Sequence, residues 1–302
     1  MGKFRFRGRR RRNRQEGGAI PLRALVPNLV TSLAACAGIT AISLSSEGRF
    51  KEALVALLIA CVCDGMDGRI ARLLKASSKL GAELDSLADF VNFGVAPAMF
   101  MYFWLTGGPL HAGCDPRVVR AVLGCSLFYA MCDCFRLARF NTMLEQDPLP
   151  YWKHFFTGVP APGGCWMVLT PYILLDSLDV AARWPDAHRF FSSAPFGMAM
   201  LLFIGVLMAS RLPTISLKAV HVPREKQRFA IAVGLFLIGC LFFNLWLTLG
   251  VVGALYILTV PLTGLVFLKI RAEYEASPRP AADGADGGDA AKPQPDDGAE
   301  KR

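Results

Sequence analysis

The stretch DGMDGRIARLLKASSKLGAELDSLAD, residues 64–89, places four aspartates, Asp64, Asp67, Asp85 and Asp89, between long apolar segments. An ionised carboxylate in the hydrocarbon of a membrane costs roughly 2.5 kcal/mol or more, so acids are rare there and usually functional. Spacings of three and four residues put each pair of acids on one face of its own helix. The intervening KASSK turn joins the two helices into a hairpin, which predicts that all four carboxylates converge.

The composition of the whole chain is that of a membrane protein. Of its 302 residues, 53% are hydrophobic, and apolar runs of about twenty residues recur along its length. The sequence therefore predicts an all-α fold, a polytopic transmembrane helical bundle of about eight spans. Their approximate positions are 24–44, 52–74, 82–105, 118–138, 160–177, 193–210, 229–248 and 250–270.

The two ends of the chain differ from this apolar middle. The first fourteen residues carry eight positive charges and no acid, so most of the net charge of +9 belongs to a basic cytoplasmic tail, residues 1–20. Contact with anionic lipid headgroups explains this tail better than nucleic-acid binding, because a membrane segment follows it. A stretch rich in Ala, Pro, Gly and Asp predicts a disordered cytoplasmic tail over 273–302, which leaves 21–272 as the transmembrane domain.

Basic residues in the loops predict the orientation of the chain. If the amino terminus is cytoplasmic, lysine and arginine concentrate in alternate loops on the cytoplasmic side, as the positive-inside rule requires. An even number of spans then leaves both termini inside. The aspartate hairpin lies near the same cytoplasmic face.

Four converging carboxylates require positive charge, because like charges a few Å apart in a poorly solvated site either protonate or bind cations. Oxygen ligands without sulfur or imidazole suit Mg²⁺ or Mn²⁺, and Mg²⁺ commonly bridges carboxylates to phosphate oxygens. The alternative is that the acids pair with basic residues of the same hairpin in a solvated loop. That alternative explains one or two aspartates, but not four on helix faces lined by small residues.

Small residues beside the acids leave room for a phosphate ligand against the backbone. Gly68 and Ala71 each lie one helical turn after one of the first two acids, and Gly81 lies one turn before the third. Arg72 shares the helical stripe of Gly68, where its guanidinium group can reach a phosphate.

Residues 64–89 also follow a longer pattern, D-x2-D-G-x2-A-R-x8-G-x3-D-x3-D. This pattern resembles in full the signature of the CDP-alcohol phosphatidyltransferase family. The resemblance implies a six-span catalytic core, followed here by two further spans, that binds metal-coordinated CDP-diacylglycerol, transfers its phosphatidyl group to an alcohol and releases CMP. It also implies a homodimer in the inner (cell) membrane of a bacterium, with the active site on the cytoplasmic side and no nucleic-acid partner.

Other stretches resemble the integral-membrane phosphatidylserine synthases within that family. They are PNLVT (27–31), DSLADFVNFGVAPA (85–98), RLARFN (136–141) and GVPAP (158–162). The acceptor implied is L-serine, with glycerol 3-phosphate or an inositol derivative as alternatives for the same chemistry. A cation transporter is the alternative from another class, and it would move metal without releasing CMP.

The resemblance gives the four aspartates separate roles. Asp64, Asp67 and Asp85 are expected to hold one or two metal ions on the diphosphate of CDP-diacylglycerol. Asp89, one turn deeper, is expected to take the proton of the serine hydroxyl, although it is also a candidate metal ligand.

Five polar residues outside the hairpin are further candidates for the site. Asn28 and Thr31 begin the first span, where they either face the CDP-diacylglycerol headgroup or simply start a helix. Arg136 and Arg139, spaced by three on one helix face, suit the carboxylate of serine, with Asn141 orienting it. The simpler interpretation of the two arginines is anchoring at the cytoplasmic surface.

One position departs from the resemblance. Asp133 stands where a small residue is expected, three residues before Arg136. This spacing allows the two side chains to form an ion pair on one helix face.

Overall fold

The computed structural model describes residues 22–76, 78–107, 115–143, 155–210, 213–215 and 227–276, which are mainly helical, as the sequence predicts. The helices are α1 (Leu22–Ser46), α2 (Phe50–Leu73), α3 (Lys79–Asp89), α4 (Ala96–Thr106), α5 (Pro116–Met143), α6 (Ala161–Ser177), α7 (Val180–Arg183), α8 (Pro185–Phe191), α9 (Ala194–Ala209), α10 (Gln227–Phe243) and α11 (Leu245–Ala276). A π-helical segment, Phe90–Val95, connects α3 to α4. The strands β1 (Phe155–Thr157) and β2 (Pro213–Ile215) pair antiparallel.

Local hydrogen bonds close the hairpin of α2 and α3. Lys75 has a φ of 50°, and the Ala76 amide donates to the Ala71 carbonyl at 2.9 Å. This residue conformation and hydrogen bond form a Schellman motif at the carboxyl end of α2. α3 then begins after Ser78, whose Oγ accepts a hydrogen bond from the Gly81 amide at 3.0 Å. These two caps fix the hairpin so that the acids of α2 and α3 face each other.

The π-helical segment starts directly after Asp89 and ties α3 to the core. Asn92, Phe93 and Gly94 are buried within it. The Tyr129 hydroxyl of α5 donates to the Phe93 carbonyl at 3.1 Å, so a side chain from another helix satisfies a backbone group in the widened turn. Such segments are rare and often lie at functional sites.

Polar contacts gather several helix termini at one end of the bundle, called here the aspartate end. Thr31, near the start of α1, hydrogen-bonds Asp67, near the end of α2. Asn141, near the end of α5, hydrogen-bonds Ser86 of α3. Arg139 of α5 donates to carbonyl groups at the end of α9. The aspartate hairpin therefore shares its end of the bundle with the termini of α1, α5 and α9.

The opposite end of the bundle, called here the far end, is held by an ion pair and an aromatic cluster. Lys51 Nζ, at the start of α2, lies 3.2 Å from Asp176 Oδ1, at the end of α6. Trp104, near the end of α4, packs edge-on against Tyr172, with ring centroids 5.4 Å apart. Phe100 packs against the same tyrosine ring at 5.1 Å.

α11 packs antiparallel to α6 through small residues. A Cβ added to Gly253 would collide with the Thr170 side chain, and one added to Gly163 would lie 3.1 Å from the Tyr256 ring. Glycine at these positions lets the two helix backbones approach closely. Since α6 runs toward the far end, α11 returns to the aspartate end.

Each predicted span overlaps a helix or helical segment of the described structure. Among the described residues, two stretches are long and apolar enough to cross a membrane alone, Leu25–Ser46 and Pro116–Thr142, and α8 with α9, bent by 48°, forms a third candidate. α10 and Leu245–Val260 are shorter apolar helices. The chain is therefore a multi-pass membrane protein, while the total of eight spans stays a prediction.

Two helix boundaries near the carboxyl terminus differ by several residues from the approximate positions predicted from sequence. The break between the last two spans was expected near residue 249, but α10 ends at Phe243 and Asn244 separates it from α11. Asn244 Oδ1 accepts a hydrogen bond from the Leu247 amide at 3.0 Å, which caps the start of α11. α11 also extends to Ala276, beyond the expected limit at 272.

The predicted tails lie largely outside the described residues. This holds for all of residues 1–20 and for 277–302 of the predicted carboxyl-terminal tail. The division of the chain at residues 20 and 272 stays a prediction, apart from the corrected end of α11.

Candidate active site

Three carboxylates converge at the aspartate end. Asp64 and Asp67 of α2 and Asp85 of α3 each offer one oxygen, and these oxygens lie within 4.8 Å of one another. Asp67 is buried, and the other two are partly buried. None of the three forms a salt bridge with a basic side chain in the described part of the chain. The described residues therefore give no support to the solvated-loop alternative.

Two hydrogen bonds fix the orientation of the Asp67 carboxylate. Thr31 Oγ1 donates to Asp67 Oδ2 at 2.6 Å, and the Gly68 amide donates to Asp67 Oδ1 at 2.5 Å. Hydrogen bonds of this kind orient metal-ligating carboxylates and raise metal affinity. Thr31 thus contacts a candidate metal ligand, and its predicted contact with the CDP-diacylglycerol headgroup stays a prediction.

Asp89 adjoins the three-carboxylate group, because its carboxylate lies within hydrogen-bonding reach of Asp64. It ends α3, and it is not among the carboxylates whose oxygens cluster within 4.8 Å. Its Oδ1 atom is buried without a hydrogen-bond partner among the described residues. Asp64, Asp85 and Arg136 are its charged neighbours. The position suits a proton acceptor beside the metal ligands.

A cavity of about 240 Å³ opens beside the three-carboxylate group. Its lining includes the three small residues predicted to leave room for a ligand, Gly68, Ala71 and Gly81. A Cβ added to Gly81 would lie 2.9 Å from Asn28 Oδ1 and 3.1 Å from Ser78 Oγ. Since these side chains already surround Gly81, any larger residue there would crowd the cavity.

Arg72 lines the same cavity and has hydrogen-bonding capacity to spare. Its Nε donates to the Gly68 carbonyl at 3.0 Å, and its side chain is exposed. Within the described ranges no hydrogen bond involves its terminal nitrogens. These nitrogens fit the predicted contact with a phosphate.

Arg139 binds the end of α9, which differs from the predicted clamp. Its Nη1 donates to the Ala209 carbonyl at 2.7 Å, and its Nη2 donates to the Ser210 carbonyl at 2.9 Å. Gly158, with a φ of 81°, packs against the second of these carbonyl groups, since a Cβ there would lie 2.8 Å from the Ser210 oxygen. These contacts satisfy carbonyl groups at the end of α9, and a role for Arg139 in binding the serine carboxylate stays a prediction.

Arg136 and Asn141 lie closer to the aspartates. Arg136 Nε is 3.5 Å from Asp133 Oδ1, so the ion pair expected from their spacing is present. Asn141 Nδ2 donates to Ser86 Oγ at 3.1 Å, on the residue that follows Asp85. Both side chains therefore stay candidates for the acceptor site.

Sequence reasoning missed one buried polar residue and one helix cap near the site. Asn92 is fully buried in the π-helical segment, against Gly38 of α1, and its amide has no hydrogen-bond partner among the described residues. A single asparagine within an apolar run of sequence is a pattern that could have identified Asn92 as a buried polar residue. Ser78, which caps α3 and lines the cavity, was recognisable from its place before the helix.

The three-carboxylate group fits a divalent cation. Two oxygens bound to one Mg²⁺ at about 2.1 Å can be no more than about 4.2 Å apart, so oxygens within 4.8 Å need only a small inward shift. Oxygen donors suit Mg²⁺ and Mn²⁺ equally, so the donor set does not select between them.

Comparisons with known proteins agree with this geometry. The family model described as CDP-alcohol phosphatidyltransferase matches residues 24–202. Three similar proteins are each named CDP-diacylglycerol–serine O-phosphatidyltransferase. The Mycobacterium leprae protein is 38% identical over 200 residues, 66% of this chain and 61% of its own length. The Mycobacterium tuberculosis protein is 34% identical, over 69% of this chain and 67% of its own. The Helicobacter pylori protein is 30% identical, over 62% of this chain and 70% of its own length.

The alignments thus span about three fifths to seven tenths of these relatives. The family match covers more than half of this chain and includes α1, the aspartate hairpin, α5, α6 and the start of α9. Its matched range contains the three-carboxylate group, Asp89 and the cavity. The chain belongs to the CDP-alcohol phosphatidyltransferase family.

Proposed function

We propose that this chain transfers the phosphatidyl group of CDP-diacylglycerol to L-serine, giving phosphatidylserine and CMP. The observation that carries the chemistry is the three-carboxylate group beside a cavity lined by small residues and an arginine. The names of the relatives support serine as the acceptor, because all three are serine phosphatidyltransferases.

Asp64, Asp67 and Asp85 would hold the metal, one or two ions of Mg²⁺ or Mn²⁺. A bound ion would neutralise the diphosphate and stabilise the charge that develops on departing CMP. Thr31 acts through Asp67, whose carboxylate it holds in a fixed orientation.

Asp89 is the proposed general base. The serine hydroxyl oxygen attacks the β-phosphorus, a new P–O bond forms, and the bond from that phosphorus to the CMP oxygen breaks. The hydroxyl proton passes to the Asp89 carboxylate. Because Asp89 lies outside the three-carboxylate group, its oxygens do not have to serve as metal ligands at the same time.

The cavity residues would hold the CDP-diacylglycerol headgroup. Arg72 offers its free terminal nitrogens to a phosphate oxygen, and Asn28 offers an amide at the cavity wall. Gly68, Ala71 and Gly81 leave the backbone accessible. The acyl chains can stay in the bilayer while the headgroup enters this cavity.

The acceptor site would lie where α5 approaches α3. Arg136 is the proposed partner of the serine carboxylate, and Asn141 lies beside it on the Ser86 side of α3. Arg139 supports this region through its hydrogen bonds to the end of α9. We expect it to affect acceptor binding through the fold of that region.

The proposed membrane arrangement has eight spans with both termini and the aspartate end on the cytoplasmic side of a bacterial inner membrane. Concentration of basic residues in the loops of that side supports the orientation. With this orientation, serine and the nucleotide can reach the site from the water of the cytoplasm. We further propose a homodimer, as the family resemblance implies, which the mass of the detergent-solubilised protein by light scattering tests.

Purified protein supplied with CDP-diacylglycerol and Mg²⁺ or Mn²⁺ tests the reaction. Serine, glycerol 3-phosphate and inositol are given in separate reactions, and CMP release is measured. We expect CMP only with serine, and none when EDTA removes the metal. Release with either of the other alcohols, but not with serine, would contradict the acceptor while retaining the transferase. Metal flux into vesicles without CMP release would instead indicate a transporter.

A further inference from the structure

Asp133 and Arg136 form the most deeply buried ion pair among the described residues. The Asp133 side chain is 0% exposed and that of Arg136 is 13% exposed, whereas both partners of each other salt bridge are at least 32% exposed. Neither Asp133 oxygen has a hydrogen-bond partner within the described ranges. Among these residues, Arg136 is therefore the group that balances the charge of the Asp133 carboxylate. A buried carboxylate is costly unless it is paired, which calls for a reason why this chain keeps one.

Gly94 of the π-helical segment makes the position of Asp133 possible. A Cβ added to Gly94 would lie 2.8 Å from Asp133 Oδ2 and 3.1 Å from the Phe90 ring. The glycine thus lets the carboxylate of α5 pack directly against the backbone that follows Asp89. Asp133 therefore forms a contact between α5 and the π-helical segment that follows Asp89, the proposed base.

Arg136 has two competing sources of negative charge. Its Nε faces Asp133 at 3.5 Å, while Asp89 also lies close enough to interact with it electrostatically. Its terminal nitrogens make no hydrogen bond to any residue that the structure describes. Removal of Asp133 would leave Asp89 as the carboxylate that acts on this guanidinium group.

We propose that Asp133 is a positioning residue that holds Arg136 by its Nε edge, keeps it from pairing with Asp89 and leaves its terminal nitrogens for the carboxylate of the acceptor. This inference rests on the proposed function. Asp133 would raise the affinity for the acceptor although it contacts neither substrate. Burial of the Asp133–Arg136 ion pair is costly, and the pair is retained because it holds Arg136 in position for the carboxylate of the acceptor.

The test is Asp133→Asn, which keeps the shape of the side chain and removes its charge. We expect the KM for serine to rise about tenfold, as when a supporting contact of a binding group is lost, while the KM for CDP-diacylglycerol changes less than about twofold. Asp176→Asn is the matched control, because it also removes a carboxylate from an ion pair but lies at the far end. Its KM for serine should equal that of the unmodified protein.

Two further variants separate positioning from simple stabilisation. Gly94→Ala pushes against Asp133 without altering any charge, and it should raise the KM for serine in the same direction. Arg136→Gln should raise this KM on its own, and adding Asp133→Asn to it should change the KM little, since both changes remove one function. Asp133→Glu, which restores the charge, should recover part of the lost serine affinity.

The outcomes distinguish this inference from the reaction itself. An unchanged KM for serine in Asp133→Asn, or fully multiplicative effects with Arg136→Gln, would overturn the positioning role while the unmodified protein still releases CMP with serine. A lowered thermal unfolding midpoint with equal losses for both substrates would also overturn it, by making Asp133 merely structural. If the unmodified protein accepts a different alcohol, the proposed function fails first, and the same variants measured with that alcohol decide the role of Asp133.

Discussion

At the scale of single residues, the site depends on how each carboxylate is held. Asp67 has hydrogen bonds to both of its oxygens, one from Thr31 and one from the Gly68 amide. Asp89 Oδ1, in contrast, is buried without such a partner among the described residues. A carboxylate held at both oxygens suits a metal ligand, and one with an oxygen left free of hydrogen bonds suits proton transfer. The local hydrogen bonds thus distinguish the two acids and support the separate roles proposed for them.

Asp85→Asn should remove most activity. Deleting one charge from a shared site leaves a divalent ion with one ligand fewer and weakens binding of the nucleotide that the ion holds. CMP release should fall by at least about 10²-fold, and excess Mn²⁺ should restore little of it. Full activity of this variant at saturating metal, or of the unmodified protein in EDTA, would contradict the metal assignment.

Asp89→Asn should affect turnover and spare binding. Loss of a general base lowers kcat by about 10²-fold or more, while the affinity for CDP-diacylglycerol stays nearly constant. Nucleotide binding measured by calorimetry separates the two effects. A loss of affinity as large as that of Asp85→Asn would make Asp89 a metal ligand instead.

Thr31→Val should lower metal affinity without touching a ligand. Valine has the shape of threonine but cannot donate a hydrogen bond to Asp67, and loss of such a contact typically costs about 10- to 100-fold in metal affinity. The measurement is activity against free Mn²⁺ concentration, with Thr31→Ser as the control that keeps the hydroxyl. Equal metal dependence of the two variants would show that this hydrogen bond does not matter.

At the scale of elements, the aspartate hairpin was predictable and its surroundings were not. Spacing alone placed Asp64 and Asp67 on one helix face and Asp85 on the facing helix, because helix periodicity is local. The π-helical segment was not predicted, since it depends on Tyr129 donating to a backbone carbonyl from another helix. The burial of Asp89 Oδ1 without a hydrogen-bond partner among the described residues belongs to the same tertiary level, beyond what a periodic pattern contains.

The hydrogen bonds of Arg139 illustrate the same limit and lead to an element-scale prediction. Arg139→Ala should destabilise the protein by about 2 kcal/mol, because carbonyl groups at the end of α9 lose charge-assisted partners. For a chain of this size that corresponds to roughly 4–8 °C in the thermal unfolding midpoint.

Arg120→Ala is the control for this prediction, because Arg120 is an exposed arginine on the same helix. Unfolding is followed by tryptophan fluorescence in detergent. An unchanged midpoint together with a raised KM for serine would restore the predicted role of Arg139 in binding the acceptor.

At the scale of the whole molecule, contacts between termini arrange the helices in one alternating order. The starts of α1 and α3 and the ends of α2, α5 and α9 lie at the aspartate end, while Lys51 and Asp176 join the start of α2 to the end of α6 at the far end. α11 runs antiparallel to α6 and so finishes at the aspartate end. The sequence predicted this alternation from loop charges, which depend on the membrane and not on any tertiary contact.

The orientation in the membrane is the prediction that follows from this order. Because basic residues concentrate in the loops of the aspartate end, Ala276 and the amino terminus should face the cytoplasm, and the segment between α7 and α9 should face outward. Green fluorescent protein fused after Ala276 should fluoresce, and alkaline phosphatase inserted after Trp184, before α8, should be active. Exchanging the two reporters should abolish both signals, since each functions on only one side. Active phosphatase after Ala276 would mean an odd number of spans or an inverted bundle, and it would contradict the proposed entry of serine from the cytoplasm.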